Sequence, residues 1–508
     1  QRQMCIRDRL NSIQILYIGN EDWTTKYNIP DFVEWENYED TGIFPPKQVD
    51  IVILDRDITN KEKQILAKIT RAYSLFATEN VKMQNSVTHD YFEERSGLYL
   101  YSGDVQVFLD QEAAKYYRQP YGEKFKPEHI SVSQFFRGSV RCKGNYDMLL
   151  EGNFGDTFSQ IVFWKSNIPV FDRQNIDLYF EHRRTGSVEV KLHVYKFYNG
   201  SVGDIQRVWE FSQDELDGIV TIDNDELEGP LFVSVLAKGQ GTLEVISLHD
   251  RYSRQNIGYF LPGGERIISS QGEEIFTYLD KGDCKPPLAI YFSGYRKQEG
   301  FEGYNMMRKL GCPFMLITDP RLEGGAFYID NADLEEKLFN NIKKTINEMK
   351  FKKSDVIISG MSMGTFGSLY FGSKLGPHAL ILAKPLTELG VVAENERLLR
   401  PGIFPTSLDL LLKNYGSLSK KSVEEFDKRM WERFDKADWS HTKFIASYLY
   451  EDDYDTDGYK NILEHLKSEG VEVYGKGSHG HHNDNHESVV GWFLSQYRLI
   501  LEEDFNRK

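Results

Sequence analysis

No run of apolar residues in this chain approaches the roughly 20 needed to span a bilayer, and its first residues carry no signal-peptide apolar stretch. A soluble protein of the cytoplasm is expected. Cysteine is scarce: Cys5, Cys142, Cys284 and Cys312 are scattered, with no Cys-x-x-Cys pair among them. That excludes a zinc ribbon and a disulfide framework and fits a reducing compartment. Positive charge is outweighed, with 61 Lys and Arg against 77 Asp and Glu and a formal net charge of −16. The balance argues against a general affinity for nucleic acid or anionic lipid. Gly19 ends an early apolar run but opens no G-x-G-x-x-G, so no dinucleotide fingerprint is present. No internal repeat or low-complexity tract interrupts the chain. Residues 1–10 do not join naturally to the strand that follows and are expected to be a non-native scar without function.

What is present is enough apolar material for more than one core. With 508 residues, 40% of them hydrophobic and 13% aromatic, two or three domains are expected. Residues 11–95 read as a small α/β segment, with strands at Ile13–Gly19 and Val49–Asp55 and helical spacing from Lys61 to Phe76. From 96 to 255 the texture changes to short alternating strands, such as Gln160–Trp164, Val188–Val194 and Leu231–Leu236, separated by turn residues. That predicts a β-sandwich-like domain. Phe163, Trp164, Tyr179 and Trp209 are available there for stacking on sugars or binding a partner, although most aromatic residues of such a domain belong to its core. From 256 to 508 strands and helices alternate, which predicts a mostly parallel sheet covered by helices. Its strands are read at Leu288–Phe292, Phe314–Thr318, Asp355–Ser359, Ala379–Ala383, Lys443–Tyr450 and Val471–Tyr474. An insertion at about 385–441 is long enough to be a helical cap.

Within the last segment, Val356-Ile357-Ile358-Ser359-Gly360-Met361-Ser362-Met363-Gly364 reads as a buried strand ending in a Gly-x-Ser-x-Gly turn. A bare match of this kind is expected by chance roughly 0.2 times in such a chain, so its context decides. A serine is a weak nucleophile until its hydroxyl is held clear of the sheet beside a base, and a sharp strand-to-helix turn does this. The turn brings strand and helix so close that only Gly fits two residues either side of Ser362. An α/β-hydrolase-like fold places the acid and then the histidine just beyond later strands. Here Glu451-Asp452-Asp453 follows one such strand, and a loop holding His479, His481 and His482 follows the next. Asp452 is the preferred acid, with Glu451 the alternative. His482 is the preferred base, and His479 and His481 compete for that role. The backbone N–H of Met363 is expected in the oxyanion hole, joined by that of Gly294 or Tyr295 after the strand Leu288–Phe292.

Two metal readings touch the same residues. Asp453-x-Asp455-x-Asp457-Gly458-x5-Glu464 matches the spacing of an EF-hand calcium loop. The segment before it is β-rich where an EF-hand needs a helix, and Lys460 stands where such loops carry an aliphatic residue, so no calcium site is expected. The histidines His479, His481, His482 and His486 lack an accompanying cysteine or fourth ligand, and no metal is assigned to them. Asp484-x-x-Glu487 before Val489-Val490 reads as a capping box.

Gly360–Gly364, Glu451-Asp452-Asp453-Tyr454-Asp455 and His482-Asn483-Asp484-Asn485, together with Ile18–Trp23 and Tyr27–Pro30, give the chain a specific likeness. It resembles the second accessory secretory protein family of the Gram-positive accessory Sec system, over nearly its whole length after residue 10. The resemblance implies an α/β-hydrolase-type acetyltransferase that O-acetylates N-acetylglucosamine on serine-rich-repeat adhesins. It also implies a role in exporting those glycosylated adhesins beside other accessory Sec proteins and the accessory SecA motor ATPase, with peripheral membrane placement through that complex. Ser362 and His482 carry over as nucleophile and base. The resemblance points to a glutamate as the acid, which keeps Glu451 beside Asp452. No tightly bound cofactor is implied, only a dissociable acetyl donor. A non-catalytic export scaffold and a simple carboxylesterase are the competing readings.

Overall fold

The computed structural model describes residues 12–38, 49–118, 121–170, 174–201, 203–223, 229–330, 332–467 and 470–507. The expected scar at residues 1–10 lies outside them. The chain forms two compact units, Gln1–Val140 with Leu150–Gly264, and Arg141–Leu149 with Glu265–Lys508. The small α/β segment and the β-rich segment share the first unit.

In the first unit, β1 (Ile13–Ile18), β2 (Val33–Asn37), β3 (Ile51–Leu54), β4 (Leu75–Ala77) and β5 (Leu98–Tyr99) make a parallel sheet in the order β2-β1-β3-β4-β5. β3 and β4 are buried at every position, as expected for parallel strands covered on both faces. The helix expected over Lys61–Phe76 is shorter. It runs Asn60–Ile69, opened by a reciprocal capping box between Thr59 and Glu62 and closed at Thr70. Leu66, Ile69, Tyr73 and Phe76 fall at helical spacing, but Leu75 and Phe76 go into the sheet because β4 must pair with β3 and β5.

The β-rich segment holds β6 (Gly122–Phe125), β7 (Ile130–Val132), β8 (Arg137–Lys143), β9 (Asp147–Trp164), β10 (Ile176–Gly186), β11 (Glu189–Phe197), β12 (Ile205–Phe211), β13 (Val220–Ile222) and β14 (Leu231–Tyr252). These described strands form one hydrogen-bonded sheet, in which β14 pairs with β6, β9, β10 and β11. Short strands were expected, yet β9 spans 18 residues and β14 spans 22. Internal glycines such as Gly239 and Gly241, both at positive φ, let β14 bend without ending it. Trp164 and Tyr179 belong to the core. The half-buried Trp209 lies under the Arg207 guanidinium at 4.8 Å.

In the second unit, β15 (Glu265–Ile268), β16 (Glu274–Asp280), β17 (Leu288–Phe292), β18 (Phe314–Thr318), β19 (Val356–Met361), β20 (Ala379–Ala383), β21 (Lys443–Leu449) and β22 (Val473–Ser478) form an eight-stranded sheet among the described residues. The order is β15-β16-β18-β17-β19-β20-β21-β22, parallel from β18 to β22 and antiparallel where β16 joins β15 and β18. This is the α/β-hydrolase sheet. β17, β18 and β20 are buried at every position, so the continuous apolar runs of the sequence are strands covered on both faces. Helices Leu389–Leu398, Thr406–Tyr415 and Lys420–Phe434 fill the insertion between β20 and β21. Val471–Tyr474, expected as the last strand, begins two residues later and extends to Ser478. Among the described residues no helix is long and apolar enough to cross a membrane.

Candidate active site

The turn after β19 fixes the position of Ser362. The serine caps the helix Met363–Leu375 at φ 51° and ψ −119°, a backbone conformation strained for any residue with a Cβ. Its N–H donates to the Ala383 carbonyl at 2.8 Å, and its carbonyl accepts from the Thr365 N–H at 2.9 Å and the Thr365 hydroxyl at 2.6 Å. Both flanking glycines are required by space. A Cβ on Gly360 would stand 2.2 Å from the Gly364 oxygen, and one on Gly364 would stand 2.0 Å from the Phe292 oxygen. β17 and the elbow therefore touch backbone to backbone.

An unbroken chain of hydrogen bonds runs from this serine. Ser362 Oγ lies 2.7 Å from His482 Nε2, and His482 Nδ1 lies 2.8 Å from Asp452 Oδ2. His482 and Asp452 are each only 4% exposed, so the imidazole and its carboxylate meet away from bulk water. The second oxygen of Asp452 accepts from the N–H groups of Tyr454 at 2.9 Å and Asp455 at 3.3 Å. These bonds fix the carboxylate so that it orients the imidazole and can stabilise an imidazolium. Asp453 takes a supporting part, since its Oδ1 accepts from the His482 N–H at 3.0 Å.

The alternative acid is turned away. Glu451 is exposed and bonds the N–H of Gly480 and the ring of His479, which together hold its carboxyl below the usual range. His479 thus pairs with Glu451, and His481 Nδ1 lies 2.9 Å from the Glu451 carbonyl oxygen; neither reaches Ser362. The carboxylates of the calcium-loop pattern have separate partners too. Asp455 accepts from Thr387 and Glu388, while Asp457 and Glu464 pair with Lys460. Among the described residues no group of three or more His, Cys, Asp or Glu is placed to hold a metal.

Two expectations need correction. The Gly294 N–H donates to Glu302 Oε2 at 2.6 Å, so it is not free for an oxyanion. That leaves the N–H of Tyr295 and the N–H of Met363, which as the first residue of its helix has no intrahelical acceptor. The capping box expected at Asp484 and Glu487 does not form: Asn485 caps the helix His486–Glu503 in the left-handed region without a side-chain bond, and Asp484 accepts from the His481 N–H.

Sequence reasoning missed three residues around the histidine. Lys384, just past β20, is buried, and its Nζ donates to the carbonyls of His482 and, at 2.7 Å, Asp484. Burial lowers its pKa against the opposing pull of Asp452 and Asp484. The Tyr454 ring packs on the His482 ring with centroids 4.4 Å apart, and the Arg400 guanidinium sits 4.0 Å over Tyr454 from the cap side. Only the position of Lys384 at the carboxyl end of a parallel strand signalled a role.

Residues 13–507 match the family described as the accessory Sec system GspB-transporter, that of accessory secretory protein 2. The chain belongs to this family. An accessory secretory protein 2 of Streptococcus gordonii is 35% identical over 98% of this chain and 99% of its own length. One from Staphylococcus aureus strain NCTC 8325 / PS 47 is 34% identical over 97% of each chain. A solved relative, from the glycosylation-associated protein (Gap123) complex of Streptococcus agalactiae, superposes with a TM-score of 0.86 at 35% identity, covering 98% of this chain and 99% of that one. The accessory secretory protein 2 likeness therefore spans both units.

Proposed function

We propose that this protein is a serine acyltransferase that O-acetylates N-acetylglucosamine on a serine-rich-repeat adhesin and serves export of that adhesin in company with other accessory Sec proteins. The observation that carries the reading is the continuous Ser362–His482–Asp452 chain. A scaffold has no use for a strained serine hydrogen-bonded to a buried, carboxylate-backed imidazole. The family's description as a transporter of GspB supports the export role. The relative from Streptococcus agalactiae, described as part of a glycosylation-associated complex, supports a multiprotein setting and a glycosylated substrate.

The chemistry follows from the geometry. His482 Nε2 removes the Ser362 hydroxyl proton as Oγ attacks the acetyl carbonyl of the donor. The N–H groups of Met363 and Tyr295 stabilise the oxyanion. Collapse breaks the bond to the leaving group, which takes the proton from His482, and leaves an acetyl ester on Ser362. A sugar hydroxyl then gives its proton to His482 and attacks this ester. The acetyl group passes to the sugar oxygen, and the proton returns to Ser362. Transfer requires the sugar to outcompete water, and the three helices of the cap between β20 and β21 supply the cover that excludes it. The test is mass spectrometry of the adhesin glycan produced with wild type or Ser362→Ala. Acetyl groups present with wild type and lost with the variant are expected, and an unchanged glycan would overturn the enzyme reading in favour of the scaffold.

A further inference from the structure

A groove of about 590 Å³ lies wholly within the first unit, between β7, the turn Ser133–Phe136 and β9. Hydrogen bonding builds it. Ser131 pairs with Phe163 across β7 and β9, and the Ser133 N–H donates to the Ile161 carbonyl at 2.7 Å. The turn is thereby held beside the long strand. Its volume is that of a site for a small ligand or a few linked rings.

The chemistry of the lining is selective. None of its twelve side chains is ionisable, although 27% of the chain is charged and about three would be expected there. The polar groups are hydroxyls and carboxamides: Ser131, Ser133, Gln134, Asn153, Ser159 and Gln160. Among the described residues no hydrogen bond inside the protein engages the side chains of Ser131, Gln134, Ser159 or Gln160, so they have donors and acceptors to offer. Between them stand aromatic rings. Phe136 packs on the buried Phe154 with centroids 5.0 Å apart, giving an apolar floor. Phe135 is 76% exposed at the groove, a ring that contributes little to any core. Of the four aromatic residues read from the sequence as candidates for sugar stacking, Phe163 alone lines this groove.

Unpaired neutral donors and acceptors interleaved with aromatic rings suit a ligand that is uncharged, rich in hydroxyl and amide groups, and apolar on its ring faces. An ionic ligand would find no counter-charge here, and a purely apolar one would strand the hydroxyls and carboxamides. We infer that this groove binds a neutral N-acetylhexosamine glycan. The inference rests on the glycan acceptor proposed above and assigns a place where the protein holds it, distinct from the residues that react.

The test is titration calorimetry of the full chain with the neutral probe tri-N-acetylchitotriose, using wild type, Phe135→Ala/Gln160→Ala and Ser362→Ala. Both groove positions are exposed, so the double variant is expected to keep the wild-type thermal melt, which is checked in parallel. Saturable binding by wild type, weakened about tenfold or more in the double variant, is expected. Ser362→Ala should bind as wild type does, which separates this site from the chemistry. If Ser362→Ala binds but adhesin acetylation proves independent of Ser362, the groove stands and the acyltransferase reading falls. Absence of saturable binding by wild type, or equal binding by the double variant, overturns the groove whatever the fate of Ser362.

Discussion

Glu451 and Asp452 are adjacent carboxylates with opposite surroundings. The backbone after β21 turns Asp452 inward to His482 Nδ1 and leaves Glu451 exposed against His479. Removing the charge from Asp452 leaves the imidazole in place but deprives it of the group that sets its tautomer and stabilises its cation. Asp452→Asn is therefore expected to lower turnover by roughly 10³- to 10⁴-fold, the scale seen when a triad acid is neutralised. Glu451→Gln removes an exposed ion pair and should stay within about twofold of wild type. Steady-state rates of acetyl transfer by the two variants decide between them, and the reverse ranking would move the acid to Glu451. Most of this site could be read from the sequence, because chain order and strand ends confine the acid and base to two short loops. The clamp by Lys384 and the loss of the Gly294 N–H to Glu302 could not. Each depends on a partner whose distance along the chain follows no local period, 98 residues in one case and eight in the other.

At the scale of elements, the elbow depends on backbone contact between β17 and the helix that starts at Met363. A methyl group on Gly364 would meet the Phe292 carbonyl at 2.0 Å, where nothing flexible can yield. Gly364→Ala should lower the melting temperature, by about 1–3 kcal/mol of stability as for other overpacked sites, and abolish transfer; Gly103→Ala, at an open turn without a positive φ, serves as a control for the loss of a glycine. Thermal melts and activity of both variants check this. The cap carries its own titration. Burial, with Glu388 and Asp455 nearby, pushes the Asp427 carboxyl up to about 8 while it accepts from the Gly390 N–H at 2.6 Å. In the unfolded chain it titrates near 3.8. Between these values the folded state keeps a proton that the unfolded chain has lost. The stabilisation is complete below the lower value and is lost as pH rises through the higher one. Asp427→Asn keeps the acceptor and stays neutral, so its melting temperature should fall less than that of wild type between about pH 5 and pH 9; equal slopes would contradict this. Parallel strands were legible as apolar runs because both faces are covered. β15, β16 and the true ends of β9 and β14 were not, since β15 is an edge strand, Glu274, Thr277 and Asp280 interrupt the apolar run of β16, and bending glycines blur the period of the long strands.

At the scale of the molecule, two different binding chemistries share one chain. The second unit holds the Ser362–His482–Asp452 chain proposed as nucleophile, base and acid, while the first holds a neutral, aromatic-floored groove. An enzyme acting on a long glycosylated partner benefits from separating grip from reaction, because affinity gained on unreacting sugars supplies orientation at the reacting one. The net charge of −16 fits this division, since recognition of a neutral glycan needs no basic surface. Everything nevertheless turns on whether Ser362 takes up an acyl group. Mass spectrometry of the full chain, quenched with acid shortly after mixing with an activated acetyl ester and measured intact and after digestion, tests that directly. The account predicts that wild type gains the mass of one acetyl group on the peptide holding Ser362, that Ser362→Ala gains none there, and that Asp452→Asn gains it far more slowly. An adduct of equal size on Ser362→Ala, or none on wild type under conditions where acetyl transfer to glycan proceeds, would contradict it.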